Sequence, residues 1–174
     1  MDMKIILSII AVFCFTLNVS AKELTKEELV IKYNLPPEPD KKLNNSTVLG
    51  VDSNNNKIRD DWERAIAFNF YDDEIEMTLH NEYAKNSFLR IKSYNENNVE
   101  GYKILLKELS LIVGCALILN KDSVLSSDVV NLEVDTYERY KSILSIENEM
   151  STKLGGTSRN ASLTKNDCVR FSKY

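Results

Sequence analysis

Between Val99 and Leu119 the chain sets Val99, Tyr102, Leu105, Leu106, Leu109, Ile112, Val113, Ala116 and Leu119 three and four residues apart. That spacing lines one face of an α-helix and fits no strand. So wide an apolar face belongs to the central helix of a bundle, and the rest of the chain must supply the helices that cover it. Glycine and proline are scarce, 5 and 3 among 174 residues, which disfavours a turn-rich β-sandwich. The expected class is all-α, a small bundle of about four helices, and the length suits one hydrophobic core.

The covering segments can be read in order. Thr25-Lys26-Glu27-Glu28 has the hydroxyl cap and early acids of a helix start. The prolines of Asn34-Leu35-Pro36-Pro37-Glu38-Pro39 end that short helix, because each lacks an amide donor and restricts the residue before it. Residues 22–50 therefore read as a short helix and an irregular strap laid over the helical domain, 51–156. From Asp60 onward Trp62, Ile66 and Phe70 recur at fourths, a bend or restart falls at Tyr71-Asp72-Asp73-Glu74, and Ile75, Leu79, Tyr83, Phe88 and Ile91 carry the stripe to about Tyr94. Asn95 to Asn98 is a break. Asn120 to Ser127 reads as a loop, with Ser127 or Asp128 capping a last helix whose apolar positions include Leu132, Tyr137, Tyr140, Leu144 and Met150. Gly155-Gly156 stops it, leaving 157–174 as an extended or loosely helical tail.

Residues 1–21 have the form of a signal peptide: Lys4, an apolar run from Ile5 to Leu17, then Val19-Ser20-Ala21, with cleavage expected after Ala21. The run is shorter than the roughly 20 residues needed to span a bilayer, and bulky Phe13 before Cys14 disfavours a lipoprotein. Leu109 to Leu119 suits a buried helix, so the mature chain is expected to have no transmembrane segment and to be periplasmic or secreted. In a eukaryotic secretory route Asn44, Asn45 and Asn160 would begin glycosylation sequons. Removing the signal leaves Cys115 and Cys168, which in an oxidising compartment make a disulfide; the alternative is two inert thiols. Net charge is -4 without a basic block, so nucleic acid is not an expected partner.

One segment carries recognisable chemistry. Counting from Asp52, oxygen-bearing side chains fall at positions 1, 3, 5, 9 and 12 of a twelve-residue stretch: Asp52, Asn54, Asn56, Asp60 and Glu63. Calcium takes six to eight oxygens, and such a loop wraps it with alternate side chains, a backbone carbonyl at position 7, here Ile58, and a carboxylate from a helix just beginning. Asp60 would bind directly or through water, and Glu63 would be bidentate. Lys57 stands where glycine is usual, at a cost of roughly 1 to 2 kcal/mol for a left-handed backbone, so affinity is expected at roughly 0.1 to 1 mM. The competing reading is a polar turn, Ser53 to Lys57, with Asp60 capping the helix.

The loop resembles the calcium loops of EF-hands, dockerins and thrombospondin type 3 repeats. The longer string Gly50 to Glu63 is similar to a motif of small exported bacterial proteins of uncharacterised function, in which a calcium-type loop precedes Arg-Asp-Asp, an amphipathic helix and a late cysteine, here Arg59-Asp60-Asp61 and Cys168. The resemblance covers little more than residues 49–66 and implies no activity.

His80 is the only histidine, read as exposed on its helix. With Glu76 a turn earlier it offers a metal two ligands at most, and no triad can be assembled around it. The chain is therefore expected not to be an enzyme but a calcium-binding module for a protein or envelope component. The alternative is an immunity or inhibitor protein acting on a toxin or cell-wall enzyme. A hydrolase built on acidic residues would need carboxyl groups converging in a pocket.

Overall fold

The computed structural model describes residues 23–121, 123–155 and 163–171. Among them are seven α-helices, α1 (Lys26–Tyr33), α2 (Lys41–Asn44), α3 (Asp60–Phe70), α4 (Glu74–Asn95), α5 (Val99–Ile118), α6 (Ser123–Ser126) and α7 (Tyr137–Leu154). Two 3-10 helices, Val130–Val134 and Lys165–Phe171, complete the set, and there is no strand among the described residues. The all-α class holds. The count exceeds about four because α1 precedes the bundle and the strap and the α5–α7 connection each contain a single helical turn, α2 and α6. No helix of the described residues is long and apolar enough to cross a membrane. The leader expected at 1–21 lies outside the described residues.

Local chemistry sets most helix ends. Thr25 and Glu28 form a reciprocal capping box, Glu28 N–H donating to Thr25 Oγ1 (3.2 Å) and Thr25 N–H to Glu28 Oε2 (2.8 Å). Asn34 ends α1 in the left-handed conformation, and Arg64 of α3 then holds the proline segment through Pro36 O and Glu38, both at 2.8 Å. Asn98 caps α5, accepting from Gly101 N–H at 2.8 Å. Gly155 closes α7 at φ 64°.

The packing corrects the expectation that α5 is the central helix. Ile104 and Leu117 of α5 are more than half exposed, whereas α4 supplies residues to all three hydrophobic clusters. Leu79 joins Ile112, Cys115, Val124, Cys168 and Phe171; Ala84 joins Ile58, Trp62, Ile66 and Val129; Ile91 joins Tyr102, Ile143, Ile146 and Met150. The α4 sequence conceals this role because it buries polar groups too, among them His80, Asn86, Ser87 and Arg90. Each has a partner, as burial demands. Arg90, Ser87 and Tyr83 converge on Glu133, with Arg90 Nη2 at 3.0 Å and the Tyr83 hydroxyl at 2.9 Å, and Asn86 donates to Leu105 O at 2.9 Å. Burial, together with the Glu133 charge, pushes the Tyr83 phenol well above its usual range.

The last helix also differs from expectation. It begins at Tyr137, capped by the Thr136 hydroxyl, which accepts from Arg139 N–H at 3.2 Å. Arg59 Nη2 takes Leu132 O at 2.8 Å, a carbonyl that a continuous α-helix would need for its own ladder. Tyr137, Tyr140 and Leu144 are exposed, not core; the competing stripe Arg139, Ile143, Ile146 and Met150 is buried instead. Cys115 of α5 and Cys168 of the last 3-10 helix are disulfide-bonded, S–S 2.08 Å, across 53 residues of chain.

Candidate metal centre

The 52–63 loop hangs from a stem fastened on both sides. Asn44 donates to Asp61 Oδ2 at 2.7 Å and accepts from Val51 N–H at 3.0 Å, while Asp60 N–H donates to Val51 O at 2.8 Å. Gly50 is required here: its φ is +70°, and a Cβ would stand 2.3 Å from Arg59 Cδ. Arg59, 4% exposed, pairs with Asp61 and reaches Asp135 Oδ2 at 3.3 Å. Arg139, 1% exposed, fastens the strap from below through Asn44 O, Asn45 Oδ1 (3.2 Å) and Val48 O (3.3 Å), and pairs with Asp135 at 2.6 Å.

Within the loop, side-chain oxygens turn onto the loop's own backbone. Asp52 Oδ1 accepts from Asn56 N–H (3.1 Å) and its Oδ2 from Lys57 N–H (3.0 Å). Asn56 Oδ1 accepts from Ile58 N–H (2.8 Å), Asn54 Oδ1 from Asn56 N–H (3.2 Å), and Asp60 Oδ1 from Ser53 N–H (2.9 Å). Asn54 Nδ2 closes the ring by donating to Glu63 Oε2 at 3.0 Å. Asn55 and Lys57 both have positive φ, 60° and 73°, so Lys57 adopts the backbone that glycine usually supplies. Its ammonium folds back to Asn55 O at 3.1 Å. The buried Ile58 side chain pins the loop to Trp62 and Ile66.

Burial pushes the Glu63 carboxyl above its usual range, and the nearby Asp60 and Asp52 charges push the same way, against hydrogen bonds from Asn54 and Asn56. Negative charge is thus held against resistance, which a cation between these groups would relieve. The donor set suits a hard ion: two asparagine amides, three carboxylates and the peptide backbone, with no sulfur or imidazole. Among the described residues no group of three or more His, Cys, Asp or Glu side chains is gathered to hold a metal, so the Asp52, Asp60 and Glu63 carboxylates do not converge as a set in this structure.

Several other residues differ from expectation. Asp60 does not cap α3, whose N-cap is Arg59 without a side-chain bond; Asp60 is 1% exposed and turned back to Ser53. His80 is buried, not exposed. It stacks on Phe70 at 4.0 Å and meets Ser123 Oγ at 3.1 Å, and that hydroxyl donates to Glu76. Burial holds the His80 imidazole down to about 4, so it is neutral. Of the three sequons, Asn44 is buried and Asn45 is engaged by Arg139, while Asn160 lies outside the described residues. Asn44 and Arg139 gave no sign of their role in the sequence, since their partners lie far along the chain. No protein-family model, curated protein or solved structure matches the chain.

Proposed function

We propose that this chain is an exported, noncatalytic helical protein that holds one calcium ion in the 52–63 loop as a structural tie, and that serves as a binding module for another protein or an envelope component. The observation that carries the reading is the Lys57 backbone at φ 73° within a loop whose Asp52, Asn54, Asn56 and Asp60 side-chain oxygens all accept from its own backbone N–H groups. A lysine adopts that conformation only where its surroundings demand it. Asp52, Asn54, Asn56, the Ile58 carbonyl, Asp60 and Glu63 would hold the ion, whose charge would offset the burial of the Glu63 carboxylate and the Asp60 and Asp52 charges that act on it. Export is supported by the apolar leader followed by small residues, and a disulfide between Cys115 and Cys168 suits an oxidising compartment. A noncatalytic role fits a lone histidine sealed beneath Phe70.

Thermal unfolding followed by circular dichroism, in calcium and in chelator, tests the ion site. Stability is expected to rise by about 2.7 kcal/mol at a calcium concentration one hundred times the dissociation constant. Asp52→Ala should abolish the response. An unchanged melting curve at about 10 mM calcium, well above the expected affinity, overturns the reading.

A further inference from the structure

Beside the calcium loop lies an open cleft of about 970 Å³, walled by residues 47–50 of the strap, by the loop itself, by the C-terminal half of α4 and by the N-terminal half of α7. Its apolar lining is Val48, Leu49, Phe88, Ile91 and Ile146; Lys57, Lys92 and Lys141 line it from three different elements. These ammonium groups are little committed. Lys141 has no ion pair among the described residues, Lys92 meets Glu96 only at 3.8 Å, and Lys57 reaches a backbone carbonyl. Two acids also line the cleft: Asp52, whose carboxylate accepts from Asn56 and Lys57 N–H, and Glu138.

We propose that this cleft binds an extended, acidic segment of a partner protein in which carboxylate side chains alternate with apolar ones. The cleft runs against the sign of the molecule, three lysines to two acids on a chain of net charge -4, and such local reversal steers and selects an oppositely charged partner. Its volume lies at the upper limit of small-molecule sites, about 300 to 1,000 Å³. The cationic groups are spread over three walls, with no buried bidentate grip of the kind a single small anion receives. An extended chain, with alternate side chains facing opposite ways, matches both features, apolar groups meeting the floor and acids the rim. The inference rests on the proposed calcium site in one respect: an ion at Asp52 removes negative charge from the loop wall and is expected to tighten binding by about threefold.

The test uses the full mature chain and a fluorescein-labelled nonapeptide alternating glutamate with leucine, with a control carrying glutamine for glutamate and phosphatidylglycerol vesicles as a third arm. The expected result is saturable anisotropy with the acidic peptide, weakened about tenfold or more in the control and in the double variant Lys92→Glu/Lys141→Glu. Both lysines lie on helix surfaces, and the variant's melting curve checks that it folds. Absence of saturable binding, equal binding by the double variant, or binding to vesicles in place of peptide overturns the proposal. Binding that persists unchanged in chelator, from a protein whose melting ignores calcium, removes the ion and leaves the cleft; a calcium-responsive protein that ignores the peptide removes the cleft alone.

Discussion

Lys57 and His80 each occupy a position that ordinary preference would deny them. With φ at 73°, Lys57→Gly is expected to raise unfolding free energy by about 1 kcal/mol even in chelator. Loss of the ammonium should tighten calcium about threefold. Denaturant titration with and without calcium separates the two effects; a gain that appears only with the ion would mean that the ion itself imposes the left-handed backbone. For His80, burial lowers the imidazole from 6.5 to about 4 in the folded state. The unfolded chain therefore binds the extra proton over that window, and stability falls as pH drops through it. The loss attributable to this group between pH 7 and pH 4 is about 3 kcal/mol. Urea unfolding at the two pH values should show that much more acid sensitivity in the wild type than in His80→Gln.

At the level of elements, the hydrogen bonds between the strap and α7 run through Arg139, beside the packing of Val48 and Leu49 on the cluster of Ile143 and Ile146. Arg139 binds Asn44 O, Asn45 Oδ1, Val48 O and Asp135 at 1% exposure, so Arg139→Met leaves several acceptors unpaired and should cost about 3 to 5 kcal/mol in denaturant unfolding. Amide exchange at residues 44–51 is expected to accelerate more than exchange in α5, because the strap loses its fastening first. None of this was legible beforehand: Arg139 lies 91 to 95 residues from its strap partners, beyond any local pattern. What could be read was local, such as the Thr25 cap, the Asn95 to Asn98 break and the Gly155 stop, together with oxygens at alternate positions of one loop. Hydrophobic spacing failed where burial was polar. It named α5 as the centre because His80, Asn86, Ser87 and Arg90 interrupt the stripe of α4, and it put Tyr137, Tyr140 and Leu144 inside because they too recur at helical intervals.

For the whole molecule, the division into three clusters along α4 implies separable contributions. The disulfide closes 53 residues of chain in the cluster of Leu79, Ile112 and Phe171, so Cys115→Ala/Cys168→Ala should lower stability by about 2 to 4 kcal/mol. Reductant should do the same to the wild type and nothing to the double variant. The calcium response should survive in both, since the loop is rooted in the cluster of Ile58, Trp62 and Ile66. That root holds the chain's one tryptophan, 4% exposed, edge-on to Tyr83 at 6.2 Å and under the Arg59 guanidinium at 5.8 Å. The protein thereby comes with its own optical gauge: with a single indole next door to Glu63, any shift in native emission speaks for the neighbourhood of that loop, with no label attached.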